Sequence, residues 1–130
     1  MNGLHLIADL HDCRCARELL FDASELESFC VAGYTRHGLT VVGRLFHAFR
    51  DAAGSPAGVT GTVVLAESHL AIHTWPEVAG VTLDVYVCNF SGDNSTNARN
   101  LFAEIIAAFA PARLEKKEVA RGHLTPVRDA

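Results

Sequence analysis

The amino-acid sequence predicts an α+β domain, a two-layer sandwich in which helices cover one face of a mostly antiparallel sheet. Three observations carry this expectation. Six apolar, strand-like segments outnumber the two that show helical spacing. Four of the six follow one another over residues 40–89, joined by connections of hairpin length. The chain has 130 residues, 49% of them hydrophobic, which suits one compact core and a single domain over 1–130. There is no internal repeat or low-complexity segment.

The elements are expected in the order β-α-β-β-β-β-α-β. Residues 4–10 form a strongly apolar first strand. Ser24 and Glu27 make a Ser-x-x-Glu capping-box pattern. Leu26, Phe29, Cys30, Gly33 and Tyr34 then recur at helical spacing, and Gly38 stands where that helix should end. Residues 40–49 read as a long strand, and 50–58 as a loop by composition. Three more strands follow at 59–67, 69–75 and 81–89. Pro76 stops any helix from running through the His-Thr-Trp segment. Leu101, Ile105, Ala108 and Phe109 mark one face of a second helix that ends before Pro111. A last strand is expected at 114–120, and 123–130 as a loose tail. Two helices can cover only one face of such a sheet, so the other must meet water or a second copy of the chain.

Composition excludes several classes of function. No apolar run approaches the ~20 residues that cross a bilayer, and the opening Met1-Asn2-Gly3-Leu4-His5 lacks the basic start of a secretory signal. The net charge of −4, with no basic run longer than Lys116-Lys117, argues against nucleic acid as a partner. Cysteines at 13, 15, 30 and 88 are too few and too unevenly placed for a secreted disulfide framework. A soluble cytoplasmic protein with reduced thiols is the expectation.

Chemistry concentrates in residues 66–77, where a serine hydroxyl, two imidazoles, two carboxylates and the only tryptophan follow the apolar run Val63-Val64-Leu65. On an extended 69–75 segment, His69, Ala71, His73 and Trp75 share one face, opposite Leu70 and Ile72. Along 81–89, the face of Val81, Leu83, Val85 and Val87 is apolar. Asp84, Tyr86 and Cys88 fall on the other, so Cys88 is expected on the polar side, where thiol and imidazole on neighbouring strands could serve as an acid/base pair. Ser68 is the candidate nucleophile, but Ala-Glu-Ser-His lacks the Gly-x-Ser-x-Gly elbow of an α/β-hydrolase. A metal held by His69, His73, Glu77 and Cys88 is disfavoured, because four residues along a strand put the two rings ~13 Å apart. No metal is expected. For any one histidine, and for Phe49 and Trp75, a purely structural role is the competing interpretation.

The run Glu67-Ser68-His69-Leu70-Ala71-Ile72-His73-Thr74-Trp75-Pro76-Glu77, with Cys88 twenty residues beyond the serine, resembles the self-cleavage region of the prokaryotic pyruvoyl-dependent S-adenosylmethionine decarboxylase proenzymes. The resemblance extends to Gly3-Leu4-His5-Leu6-Ile7-Ala8-Asp9, Phe46-His47-Ala48-Phe49, Thr60-Gly61 and Cys88-Asn89-Phe90-Ser91-Gly92-Asp93-Asn94, in the family's order. It implies a zymogen that cuts itself between Glu67 and Ser68 into a β chain, 1–67, and an α chain, 68–130. The cofactor would be a pyruvoyl group derived from Ser68, which takes the substrate amine as a Schiff base. By the same resemblance His73 supports cleavage, assisted by a hydroxyl that is here Thr60. Cys88 donates the proton that replaces CO₂, and Phe49, Trp75 and Glu77 contact the substrate.

The fold implied is an αββα sandwich formed by a homodimer of cleaved protomers. The substrate would be S-adenosylmethionine and the product the aminopropyl donor for spermidine. The alternative is L-ornithine or L-arginine decarboxylation on the same scaffold. The aromatic faces of Phe49 and Trp75 favour the nucleoside. The loop at 50–58 is a few residues longer than in the shortest relatives. A non-catalytic partner of an active paralogue would be expected to have lost Ser68, His73 or Cys88, and all three are present.

Overall fold

The computed structural model describes residues 2–90 and 92–125. The expected Ser91 and the end of the tail at 126–130 lie outside the described residues. The elements are β1 (Gly3–Cys13), α1 (Arg17–Phe21), α2 (Ala23–Arg36), β2 (Val41–Arg50), β3 (Pro56–Leu65), β4 (His69–Trp75), a 3-10 turn (Pro76–Val78), β5 (Gly80–Cys88), α3 (Ser95–Phe109) and β6 (Pro111–Arg121). The six strands form one sheet in the order β2-β3-β4-β5-β1-β6, antiparallel at every junction. All six expected strands and both expected helices are present, so the α+β architecture holds.

The alternation of apolar side chains decides which face is covered. Leu6 and Leu10 of β1, Leu70 and Ile72 of β4, and Leu83 and Val85 of β5 all point to one side and are buried. Leu26 and Tyr34 of α2 and Leu101, Ile105 and Phe109 of α3 complete this core. Among the described residues the opposite face carries no helix. Ile7, Leu45, Val64 and Val119 remain exposed there, together with the charged and aromatic side chains that alternate with the core positions.

Three local expectations need correction. α1 is an additional helix of five residues, too short to display a period, and it buries Leu20. The capping box at Ser24 and Glu27 does not form. The cap is Asp22, whose side chain accepts from the backbone N–H of Ser24 and Glu25 at 2.9 and 3.1 Å. An aspartate reaching both orphan donors of the first turn leaves Ser24 inside the helix. The loop expected over 50–58 contracts, because β3 already begins at Pro56 and the Asp51 carboxylate ties the turn through the N–H groups of Ala53 and Ser55.

Two contacts join the layers. Thr74, a buried polar residue, uses its hydroxyl twice: it accepts from Val59 N–H at 2.8 Å and donates to the Leu20 carbonyl at 2.7 Å. One hydroxyl thereby links β3, β4 and α1. Where the end of α2 meets the middle of α3, Arg36 and His37 both donate to Glu104. Glu104 is held below the usual carboxylate range, first by the His37 hydrogen bond and then by Arg36. Gly61 shows how closely β2 and β3 approach. A β-carbon there would lie 2.2 Å from the Phe46 ring, so the aromatic packs over the bare backbone.

Candidate active site

The bond between Glu67 and Ser68 lies in the tight turn that joins β3 to β4. Leu65 N–H donates to the Ser68 carbonyl at 2.8 Å, closing the hairpin around it. Strand 59–67 therefore ends at Leu65, two residues earlier than the apolar pattern suggests, and Ser68 stands half-buried immediately before β4. A hollow of about 160 Å³ opens beside it, with Thr40 and Asn94 on its wall.

The parity expected for 69–75 holds: Leu70, Ile72 and Thr74 are buried, while His69, His73 and Trp75 face the uncovered side. The register then fixes which groups meet. Thr60 on β3 pairs with His73 on β4, which pairs with Thr82 on β5. The Thr60 hydroxyl lies 2.7 Å from His73 Nδ1. This hydrogen bond fixes the orientation of the ring. Beside the pair, Phe49, Trp75 and Glu77 line a groove of about 420 Å³. Phe49 and Trp75 are 48% and 47% exposed, so their faces are open to a ligand rather than consumed by the core. His47 stacks edge-on against Phe49 with ring centroids 4.8 Å apart.

Ser68 and Cys88 are at the other end of the sheet. Tyr86 pairs with His69 and Cys88 with Gly3, so both residues leave the ladder at the same edge. His73 is five residues along β4 from Ser68, ~17 Å in an extended strand, and its partner Thr82 is ~20 Å along β5 from Cys88. The thiol and the imidazole are on neighbouring strands, as expected, but not within reach of each other in one chain. For the same reason His69, His73, Glu77 and Cys88 cannot share one ion. Cys88 alternates with Asp84 and Tyr86 along β5 as expected. It is only 7% exposed, because the chain closes over the end of β5. Asn89 N–H donates to the Asn2 carbonyl, and the Asn94 amide donates to the Cys88 carbonyl.

Sequence reasoning assigned no role to a second group on the uncovered face. His5 of β1, Tyr86 of β5 and His69 of β4 stand side by side in register. His5 Nε2 is 3.1 Å and His69 Nε2 3.7 Å from the same Asp84 carboxylate oxygen. Arg121 at the end of β6 reaches His5 Nδ1 at 3.1 Å and lies over the Tyr86 ring. Parity does put Asp84 and Tyr86 on the polar side, but only the strand order brings β1 beside β5.

Helices on one face of an antiparallel sheet, with a serine in a hairpin and a hydroxyl–imidazole pair on the bare face, define an α+β protein that carries groups for nucleophilic and acid/base chemistry. The sequence profile of the S-adenosylmethionine decarboxylase family matches residues 4–122. The S-adenosylmethionine decarboxylase proenzyme of Syntrophomonas wolfei is 39% identical over 122 residues, 92% of this chain and 86% of the relative. That of Moorella thermoacetica is 33% identical over 128 residues, covering 98% and 94%. The crystal structure of the adenosylmethionine decarboxylase from Aquifex aeolicus superposes with a TM-score of 0.79 at 29% identity, over 98% of this chain and 97% of the other. The chain belongs to the S-adenosylmethionine decarboxylase family.

Proposed function

We infer that the chain is a proenzyme that cuts itself between Glu67 and Ser68 and then, as a homodimer of cleaved protomers, decarboxylates S-adenosylmethionine. The observation that carries this is the division of the site. Ser68 and Cys88 lie at one end of the sheet, and Thr60, His73 and the aromatic groove at the other. Two copies laid face to face about a twofold axis would bring each Ser68 end over the partner's His73 end, giving two equivalent composite sites. The same contact would cover the exposed Ile7, Leu45, Val64 and Val119.

In the first stage the Ser68 hydroxyl adds to the Glu67 carbonyl carbon and the amide C–N bond breaks. The amine of Ser68 gains the proton, and an ester links the two halves. A base removes the Ser68 α-proton, expelling the Glu67 carboxylate and leaving dehydroalanine. Water then replaces the nitrogen, which departs as ammonia, and a pyruvoyl group remains at position 68. His73, oriented by Thr60, is the acid/base group for these proton transfers. Ser68 fits the demand because it sits at a strand start, where the group made from it stays tethered through the amide of His69.

Topology keeps the product together. β1 belongs to the fragment 1–67, yet it lies between β5 and β6 of the fragment 68–130. β3 is likewise paired to β4 across the cut.

In the second stage the pyruvoyl carbonyl supplies an electron sink for the carbanion left when CO₂ departs. Cys88 would supply the proton that this carbon takes up. Phe49 and Trp75 offer their faces to the adenine, while Glu77 pairs with the ribose hydroxyls or the sulfonium charge. A cytoplasmic location accords with this chemistry; among the described residues no helix is long and apolar enough to cross a membrane.

The test is the intact mass of the denatured chain. Two fragments split at Glu67/Ser68, the second lighter by one ammonia than simple hydrolysis gives, are expected, together with release of CO₂ from S-adenosylmethionine. A single uncut 14.0 kDa chain after long incubation would overturn self-processing. Release from ornithine or arginine instead would move the substrate, not the chemistry.

A further inference from the structure

His5, His69 and Asp84 bring three ligand-type atoms within 4.8 Å of one another on the uncovered face. Spacing alone would suit a metal ion, and Arg121 decides against it. A guanidinium only donates, so the Arg121 contact at 3.1 Å requires His5 Nδ1 to be an acceptor without a proton. The remaining proton of neutral His5 then sits on Nε2, which donates to Asp84 at 3.1 Å. A metal-bound histidine has the reverse arrangement: its free nitrogen carries hydrogen and donates outward to an acceptor. The cluster is a directed hydrogen-bond chain, from Arg121 through His5 to Asp84.

The far end of the chain is the catalytic strand. Asp84 faces His69 Nε2 at 3.7 Å, and the amide of His69 is the bond that carries residue 68. The two imidazole centroids are 6.2 Å apart, and Tyr86 packs against both, with its ring centroid 5.9 Å from His5 and 5.6 Å from His69. Arg121 covers it at 4.4 Å. Four adjacent strands, β6, β1, β5 and β4, supply Arg121, His5, Asp84 and His69 in turn. We propose that Arg121, His5 and Asp84 are positioning residues that hold the His69 imidazole, and with it the strand end bearing the group made from Ser68. This deepens the decarboxylase reading and rests on it for its kinetic consequence. None of the three touches the reacting atoms; they act through His69.

Two measurements test it separately. Nitrogen NMR of the histidine rings in the uncleaved Ser68→Ala chain reads the tautomer without any need for activity. His5 should carry its proton on Nε2, and Arg121→Met should release it to a tautomer mixture while Arg121→Lys, which keeps a donor, should not. Stoichiometric zinc should leave the His5 and His69 signals unmoved. A proton on Nδ1, an unchanged tautomer in Arg121→Met, or zinc binding at these rings would overturn the proposal.

In the cleaved enzyme, Asp84→Asn and Arg121→Met should each lower kcat about tenfold or more, with KM within about twofold, since misplacement by an ångström costs on that order. Arg121→Lys should recover most of the loss. A kcat within twofold of wild type in both variants overturns it too, and Arg121→Met stands alone if Asp84→Asn does not fold. If the wild-type chain is not cut at all, the function reading fails while the tautomer result still decides the relay.

Discussion

His73 and Ser68 stand at opposite ends of β4, with the imidazole hydrogen-bonded to Thr60 across the β3–β4 pair and the serine held in the hairpin turn. An extended strand cannot bring them together. Cooperation between them in cleavage therefore requires a second copy, and the consequence is testable without any structure of the dimer.

Ser68→Ala and His73→Ala chains are each expected to stay uncut when expressed alone. Co-expressed in equal amounts, they should complement. The His73→Ala chain keeps its serine and receives the partner's imidazole, so about half of those chains, the ones in mixed pairs, should be cleaved. The Ser68→Ala chain should never be cut. Mass spectrometry of the mixture separates the two, and no cleavage in the mixture would mean that His73 serves its own chain.

Thr60 should matter through its oxygen and not its methyl. Thr60→Val removes the partner of His73 Nδ1 at nearly constant shape, and cleavage should slow by about tenfold or more. Thr60→Ser should restore the rate. The readout is the uncut fraction against time after purification, and equal rates for Val and Ser would remove Thr60 from the proton-transfer apparatus.

Thr74 is the structural member of the His-Thr-Trp run. Replacing it with valine preserves shape but strips Val59 N–H and the Leu20 carbonyl of their partner inside the core. The expected loss is about 1–3 kcal/mol, the cost of stranding buried polar groups. Urea unfolding of the cleaved protein measures it, and an unchanged midpoint would show that water reaches the site.

Glu104 gives the α2–α3 contact a pH dependence of defined sign. Its folded carboxyl lies below the ordinary 4.5, chiefly because His37 donates to it. The contribution is therefore complete above pH 4.5 and is lost as pH falls through the lower folded value. The pair is only partly buried, so Glu104→Gln should cost only about 0.5–1 kcal/mol at pH 7. The difference should shrink progressively below pH 4.5, as read from Tm against pH. A difference that grows on acidification would contradict the assignment.

Much of the fold is legible in the side-chain alternation itself. Val81, Leu83, Val85 and Val87 can share one face only on a strand, and Leu101, Ile105, Ala108 and Phe109 can share one side only on a helix. α1 escaped because five residues display no period, and the cap of α2 because Ser24 and Asp22 are equally good cap residues until the backbone chooses between them. Phe49, Trp75 and Glu77 were legible as a group, and they do meet around one groove with Thr60 and His73.

The sequence by itself determined the chemical types available, their facing along each strand, and membership in the S-adenosylmethionine decarboxylase family. Only the tertiary structure decided which of these types stand together. Alternation is a local property of the backbone, whereas neighbours across a sheet are set by strand order and register. That order put β1 between β5 and β6, so Arg121, His5 and Asp84 meet although they are far apart in the chain. The register put His73 opposite Thr60 and away from Cys88. These separations follow from side-chain packing between elements remote in sequence, and no short stretch of residues encodes them.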